Sequence, residues 1–183
     1  VEAYDVRAEV KEQIQSLGAK FIDIQVGEEG AGAGGYAKEL SEEGKRKQQA
    51  ALSEALKKFD IIISTANIPG KKAPVLITED GVKGMREGSV IVDMAAANGG
   101  NCPLSEPDKM IRKHGVTLIG TTNFPAQVPY DASTFYGRNV NNLLALMLQV
   151  KEGKATLTLN LEDDIIAGSL AVHNGQTRLN KKS

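Results

Sequence analysis

A carboxylate near the start of this 183-residue chain is its first residue of clear chemical interest. Residues 1–5 (VEAYD) predict the end of a β-strand with Asp5 at its tip, and the pattern of a helix follows at once. In a dinucleotide-binding βαβ unit, an acidic residue at the end of the second strand binds the adenosine ribose, about 20 residues after a glycine-rich phosphate turn. If Asp5 has that role, the phosphate turn and the first strand precede residue 1, and the chain is a fragment of a larger protein.

Small, hydroxyl-bearing and amide-bearing residues follow three predicted central strands, at residues 60–64, 89–93 and 116–120. Ligands of open α/β sheets lie outside the carboxyl ends of the strands. Small residues at these ends allow backbone groups to approach a planar ligand, and the polar side chains can hydrogen-bond to it. The candidate binding residues are Thr65, Ala66, Asn67, Asp93, Asn101 and Asn123.

Residues 27–40 (GEEGAGAGGYAKEL) contain a literal G-x-G-x-x-G match, which we do not interpret as the phosphate turn. The true motif follows directly on a strand and opens a helix, whereas Gly27, Glu28 and Glu29 intervene here. The two carboxylates would also repel a pyrophosphate. A flexible flap is the better interpretation, with Tyr36 placed to close over a bound ring, and a plain surface loop is the alternative.

Hydrophobic periodicity predicts an α/β fold, a Rossmann-like, doubly wound parallel sheet that lacks its first strand and glycine-rich turn. The run DIIIS at 60–64 is typical of a strand buried on both faces. Residues 1–130 are expected to form a partial nucleotide-binding domain, and residues 131–183 a long helix and terminal strands that return toward an absent N-terminal domain. Helices are predicted near 6–17, 41–59, 78–87 and 133–150, and the remaining strands at 21–26, 156–161 and 166–173 before a turn at Asn174-Gly175.

Composition restricts the class of function. The net charge of −1 gives no basic excess for nucleic acid, and no apolar run is long enough to span a bilayer. The single Cys102 excludes an internal disulfide and a cysteine-rich metal site. His114, expected at a helix end, and His173, before the turn, lie beside no nucleophile, so no catalytic residue is assigned. Hydride transfer between two nicotinamides would need only alignment and the exclusion of water.

Several segments, in this order, resemble the proton-translocating NAD(P) transhydrogenase family, in its NAD(H)-binding alpha or alpha-1 component. They are VEAYDVR, GGYAKEL, STANIPGKKAPVLIT, GSVIVDMAAANGGNCPLSEP and GTTNFP. The resemblance extends from residue 1 to about residue 175 and implies a Rossmann-like NAD domain. It also implies that hydride passes from NADH to NADP bound on a different component, coupled to proton movement through a membrane part.

The resemblance implies roles for individual residues. Asp5, with the adjoining Val6, would bind the adenosine ribose, and Tyr36 would belong to a mobile loop that closes on NAD. Thr65, Ala66 and Asn67 would lie against the nucleotide, although Asn67 stands where the family's usual ALIPG motif has an apolar residue.

The implied partners are NADP-binding and membrane-spanning subunits and a second copy of the chain, with no nucleic acid. The implied location is the cytoplasmic face of the inner (plasma) membrane in a bacterium, or the matrix side of the mitochondrial membrane in a eukaryote.

Two alternatives stay open. Alanine dehydrogenase has a related architecture, but its catalytic aspartate in the D-x-A-x-D-x-G-G stretch falls on Ala97, whose methyl group cannot donate a proton. The other alternative is a non-catalytic NAD-binding fragment or scaffold. Neighbouring genes for a membrane subunit and an NADP-binding subunit would decide between a transhydrogenase and such a fragment.

Overall fold

The computed structural model describes residues 1–7, 9–25, 27, 40–68, 70–151 and 153–178. The chain divides into two compact units, Val1–Phe124 and Pro125–Ser183. Tyr36 and most of the predicted flap lie outside the described residues.

A four-stranded sheet forms the centre of the first unit. Its strands are β3 (Ile61–Ser64), β4 (Val90–Asp93), β5 (Met110–Lys113) and β6 (Val116–Ile119), in the spatial order β3-β4-β6-β5. β3, β4 and β6 run parallel, whereas β5 is antiparallel to β6. The prediction of an α/β fold with a parallel sheet is therefore confirmed, with one antiparallel strand added at the edge.

A smaller sheet precedes these strands. β1 (Glu2–Ala3) pairs in parallel with β2 (Lys20–Phe21), and α1 (Val10–Ser16) connects them. Gly18 follows α1 with a φ of +81°, a left-handed conformation that glycine adopts without a steric cost. The predicted strand 21–26 is described as a strand only at Phe21, and Val26 lies outside the described residues.

Two helices of the first unit begin at hydroxyl N-caps. Ser41 Oγ accepts the N–H of Gly44 at the start of α2 (Glu42–Leu56), and Thr78 Oγ1 accepts the N–H of Gly81 at the start of α3 (Glu79–Lys83). Each such cap stabilises a helix by about 1 kcal/mol. The hydroxyls of Ser53 and Thr78 lie 3.0 Å apart, so α2 is held directly against the cap of α3.

One face of the four-stranded sheet forms the core with these helices. The buried apolar cluster consists of Leu56, Ile77, Val82, Met85, Ile91, Cys102, Val116 and Leu118. Ile62 packs against this cluster, but Ile61 and Ile63 on the other face of β3 are 66% and 64% exposed. The prediction that the DIIIS strand is buried on both faces is therefore wrong for the described residues, because Ile61 and Ile63 lie on a face that the described elements leave exposed.

β5 is a strand that the sequence did not predict, and it forms a β-hairpin with the predicted strand β6. His114 and Gly115 have φ values of +51° and +78° and form the two-residue turn between β5 and β6. Two consecutive positive φ values match the right-handed twist of paired strands. His114 consequently lies in a hairpin turn, and its expected position at a helix end is wrong.

The second unit begins with α4 (Pro129–Met147), which has proline at its first position. The helix ends before the predicted Val150, because residues from Leu148 pair as β7 (Leu148–Lys151) with β8 (Lys154–Leu157). Among the described residues, α4 included, no helix is long and apolar enough to cross a membrane.

A short helix replaces part of a predicted strand in the second unit. Asp163 Oδ1 accepts the N–H groups of Ile165 and Ile166 and starts α5 (Asp164–Ser169), so a strand at 166–169 is wrong. The predicted strand 156–161 is observed only at its first two residues, within β8. β9 (Val172–His173) and β10 (Gln176–Thr177) form a hairpin around the predicted Asn174-Gly175 turn, which is confirmed.

Candidate functional site

The carboxyl ends of β3 and β4 lie side by side. Ser64, the last residue of β3, pairs in register with Asp93, the last residue of β4, and the N–H of Met94 donates to the carbonyl oxygen of Ser64 at 2.9 Å. This register brings the segments after the two strands, 65–68 and 94–101, to one edge of the sheet. Ligands of open parallel sheets bind at this edge.

Asp93 fixes the segment that follows β4. Its Oδ1 accepts the backbone N–H groups of Ala95 and Asn101, both at 3.1 Å, and its Oδ2 accepts the N–H of Cys102 at 3.0 Å. Asp93 has no exposed surface. A buried carboxylate needs such donors, because its desolvation costs several kcal/mol when it is left unpaired. The side chain therefore closes residues 94–102 into a fixed loop.

Asn101 then connects this loop to the end of β3. Its Oδ1 accepts the hydroxyl of Ser64 at 2.7 Å and the N–H of Ala66 at 3.1 Å. Its Nδ2 donates to the carbonyl oxygens of Ala66 at 2.9 Å and Pro74 at 2.8 Å. These bonds use both donor hydrogens and both acceptor lone pairs of the amide. Asn101 is also fully buried.

Asp93 and Asn101, both predicted as cofactor contacts, thus have their polar atoms engaged with the protein chain itself. Thr65 and Asn67 are exposed beside them, and Ala66 is half-buried. The structure divides the predicted residues into an inner pair that positions the loops and an outer group that is accessible to a ligand.

A second pair of amides lies at the surface of the same edge. Asn98 Nδ2 donates to Asn67 Oδ1 at 3.0 Å, which joins the segment after β3 to the short 3₁₀ helix Ala96–Asn98 after β4. Asn67 therefore has a polar partner, although it replaces an apolar residue of the usual motif. Asn98 was not predicted as a site residue, and no spacing rule marks it in the sequence.

Two glycines allow close packing in the loop after β4. A Cβ atom on Gly99 would lie 2.6 Å from the side chain of Lys72, and one on Gly100 would lie 2.8 Å from Asp93 Oδ2. Both glycines have positive φ values, of +95° and +76°. The Gly-Gly dipeptide is therefore required by the turn and by the close approach of Lys72 and Asp93.

The segment after β6 is held by a third polar side chain, which the sequence did not reveal. Asp108 Oδ1 accepts both the N–H of Thr122, at 2.9 Å, and its hydroxyl, at 2.5 Å. These hydrogen bonds hold the pKa of Asp108 below its usual value. The exposed Asn123 follows directly, at the end of the strand that neighbours β4.

Asp5 lies just beyond β1, as the sequence predicts, and its partner is Arg7. Asp5 Oδ1 accepts Nε of Arg7 at 2.9 Å, and Oδ2 accepts Nη2 at 2.8 Å. Burial raises the pKa of Asp5, but the hydrogen bonds and the positive charge of Arg7 outweigh it, so that the pKa is lowered overall. The carboxylate is a quarter exposed, and the adjoining Val6 is half-buried.

The structure therefore brings Thr65, Ala66, Asn67, Asp93 and Asn101 together. It places Asn123 after the end of β6, which is separated from β3 by β4. Asp5 and Val6 follow a strand of the separate small sheet, and Tyr36 lies outside the described residues.

The described part of the chain offers no metal site and no activated thiol. The described residues contain no cluster of three or more metal-ligating side chains. Burial raises the pKa of the Cys102 thiol, which keeps it in its unreactive neutral form. His114 Nε2 lies 3.0 Å from Glu79 Oε1 in the hairpin turn, at the amino end of β6 and so away from the strand ends described above.

A mixed sheet with rigid loops at the carboxyl ends of its parallel strands defines an α/β ligand-binding domain. The family described as alanine dehydrogenase/PNT, C-terminal domain, matches residues 1–180. The chain belongs to this family.

The relatives agree with the resemblance of the sequence motifs. The chain is 49% identical over 177 residues to the first part of the alpha subunit of NAD(P) transhydrogenase from Rhodospirillum rubrum, which covers 96% of this chain and 46% of that protein. It is 46% identical over 177 residues to the alpha subunit from Haemophilus influenzae, which covers 96% of this chain and 34% of that protein. The chain thus spans about half the length of the first of these relatives, and less of the second.

Solved structures give the same result. The crystal structure of transhydrogenase from Sinorhizobium meliloti matches with a TM-score of 0.72 and 36% identity, over 97% of this chain and 45% of that one. An L-alanine dehydrogenase structure matches with a TM-score of 0.55 and 25% identity, over 73% of this chain and 33% of that one. The predicted family and the Rossmann-like fold are confirmed, and alanine dehydrogenase is the more distant relative.

Proposed function

We propose that this chain is the NAD(H)-binding part of a transhydrogenase alpha subunit, which passes hydride between NADH and NADP held on a partner component. The observation that carries the proposal is the 49% identity to the Rhodospirillum rubrum alpha subunit across 96% of the chain. The geometry supports it, because the shared segments include the rigid loops at the carboxyl ends of β3 and β4.

The proposed contacts to NAD(H) come from both sheets of the first unit. The Asp5 carboxylate accepts hydrogen bonds from the adenosine ribose, beside Val6, while Arg7 keeps it ionised. Thr65, Ala66 and Asn67 lie against the nucleotide.

Three other predicted residues complete this assignment. Asn123 contributes from the end of β6, and Tyr36 closes from the flap. Asp93 and Asn101 act through the loops that they hold, since their own polar atoms are engaged.

The proposed chemistry needs alignment and not an acid or base. Bound NADH supplies the hydride, and transfer to a second nicotinamide moves no proton to or from a side chain. The chain has Ala97 where an alanine dehydrogenase-like reaction would need a carboxyl group, and Ala97 is exposed at the same edge of the sheet. A rigid edge with small residues suits a planar ring that must approach another ring closely.

The proposed partners follow from the same family assignment. They are the NADP-binding and membrane-spanning transhydrogenase components and a second copy of this subunit, and nucleic acid is not among them. The proposed location is the cytoplasmic face of the bacterial inner membrane, or the matrix side of the mitochondrial membrane in a eukaryote.

The test is hydride transfer with the longest natural protein that contains this chain. It is mixed with the NADP-binding component of a transhydrogenase, and NADH-dependent reduction of an NADP analogue is followed by absorbance. We expect transfer that requires both components, and no reduction of NAD by L-alanine. Alanine-dependent reduction would favour the dehydrogenase, and NADH binding without any transfer would favour the non-catalytic fragment.

A further inference from the structure

We infer that Asn101 is a positioning residue, which fixes the backbone of Ala66 so that Ala66 meets the nucleotide mainly through its methyl group. This inference rests on the proposed function, because it concerns the NAD(H) site. It assigns to Asn101 a role that differs from direct contact with the cofactor.

The hydrogen bonds between the two residues are reciprocal. The N–H of Ala66 donates to Asn101 Oδ1 at 3.1 Å, and Asn101 Nδ2 donates to the carbonyl oxygen of Ala66 at 2.9 Å. The side-chain amide thereby pairs with both the backbone N–H and the backbone C=O of one residue, as a residue of a neighbouring strand would. β3 ends at Ser64, so this pairing holds the chain two residues past the strand.

The pairing also determines what Ala66 can offer to a ligand. Its N–H and one lone pair of its carbonyl oxygen are used by Asn101, and its side chain is a methyl group. Thr65 and Asn67, on either side, are exposed and supply the polar groups. The arrangement suits a nucleotide ring or sugar edge that lies on Ala66 and is hydrogen-bonded by its neighbours.

Asparagine is the side chain that meets all these demands. It must accept from Ser64 and Ala66 and donate to Ala66 and Pro74 at the same time. Aspartate lacks the donors, leucine lacks both kinds of group, and glutamine is one methylene longer in a site with no exposed surface. Asp93 Oδ1 accepts the backbone N–H of Asn101, and this hydrogen bond fixes the position of the Asn101 side chain.

The experiment uses Asn101→Asp in the longest natural protein that contains this chain, with NADH titrated at roughly pH 6 and roughly pH 8. When ionised, the carboxylate faces the carbonyl oxygens of Ala66 and Pro74, which repel it. Burial and the nearby carboxylate of Asp93 raise the pKa of the introduced group, and Cys102 beside it is a neutral thiol. When protonated, its O–H can donate to one of the two carbonyls.

We expect NADH binding by Asn101→Asp to be about 5- to 100-fold weaker than that of the unmodified protein at the higher pH. Most of this loss should be recovered at the lower pH, because the O–H restores a donor. A role in folding alone would change the melting temperature without this pH-dependent gain in affinity. Equal affinity of the variant and the unmodified protein at both pH values would overturn the inference.

Two further variants complete the test. Asn160→Asp makes the same chemical change in the second unit and keeps the acceptor for the N–H of Glu162, so its NADH affinity should not change. Ser64→Ala removes one donor to Asn101 Oδ1 and should weaken NADH binding about 2- to 10-fold. If Asn101→Asp does not fold, Ser64→Ala decides, and an unchanged affinity overturns the inference. Failure of the unmodified protein to bind NADH would instead overturn the proposed function, and this inference with it.

Discussion

The carboxylate of Asp93 and the backbone N–H of Asn101 are joined by a 3.1 Å hydrogen bond that closes the segment between them into a fixed loop. Both residues are fully buried. Asp93 belongs to β4, whereas the side chain of Asn101 reaches the segment after β3. This hydrogen bond fixes Asn101, whose side chain then links the ends of the two parallel strands, at the edge where we propose that the nucleotide binds.

Asp93→Asn should destabilise the protein by about 1–3 kcal/mol. In the unmodified protein the N–H of Cys102 donates to Asp93 Oδ2, whereas in the variant it would face an NH₂ group that cannot accept a hydrogen bond. The measurement is the free energy of unfolding in urea. Asp80→Asn is the matched control, since the Asp80 side chain is 90% exposed and its replacement should cost less than about 1 kcal/mol. Equal stability of the two variants would show that Asp93 does not hold the loop.

Gly120→Ala should also destabilise the protein, by about 1–3 kcal/mol, because the added methyl group has no room. A Cβ on Gly120 would lie 2.2 Å from the backbone oxygen of Glu106, and backbone yields less readily than a side chain. Gly137 lies in the middle of α4, and a Cβ added there would have no heavy atom within 4 Å. Gly137→Ala should therefore stabilise the protein by about 0.5–1 kcal/mol. Thermal unfolding compares the two, and a stable Gly120→Ala variant would contradict the close packing after β6.

The elements that the sequence predicts well are those with a strong local signal. Ser41 is an N-cap at the start of α2, and the apolar runs at 61–64 and 90–93 are strands. The sequence does not reveal β5, because Met110–Lys113 is an exposed edge strand without apolar alternation. The helix at Asp164–Ser169 was missed because its apolar residues also suit a strand, and only the cap at Asp163 distinguishes the two.

The location of the site is predictable from the sequence. Which of its residues are accessible to a ligand, and which instead hold the loops in place, is not predictable. The rule that ligands bind at the carboxyl ends of parallel strands selects Thr65 and Asn101 alike. Only the folded structure shows that the amide of Asn101 points into the protein, with its hydrogen bonds satisfied by Ser64, Ala66 and Pro74. Long-range contacts of this kind leave no trace in periodicity or spacing.

Asp5→Asn should weaken NADH binding by about 1–3 kcal/mol, because the proposed charged hydrogen bond to the ribose would be lost. The pKa of Asp5 is held below its usual value, so the carboxylate is ionised at any neutral assay pH and the change removes a full charge. The measurement is an NADH dissociation constant from fluorescence titration. Asp23→Asn, which breaks an exposed ion pair with Lys11, serves as the control and should leave the constant unchanged. An unaltered constant for Asp5→Asn would remove Asp5 from the site.

Tyr36→Ala should weaken NADH binding or slow hydride transfer while the melting temperature stays the same, because the proposed flap would lose the ring that we expect to close over the nucleotide. Tyr130→Ala removes an equivalent ring that is 82% exposed on α4, and it should affect neither rate nor binding. Stopped-flow measurements of hydride transfer provide the test. Identical kinetics for the two variants would leave the flap without a role.

The most direct test of a nucleotide site at the ends of β3 and β4 is an NADH titration of the natural protein that contains this chain, with and without Thr65→Glu. We expect saturable binding that becomes at least about tenfold weaker, because the exposed Thr65, which we propose lies beside the nucleotide, is replaced by a larger, negatively charged side chain. Thr156→Glu on β8 makes the same change at an exposed position of the second unit and should have no effect. Unaltered affinity of Thr65→Glu, or no saturable binding by the unmodified protein, would contradict a nucleotide site at the ends of β3 and β4.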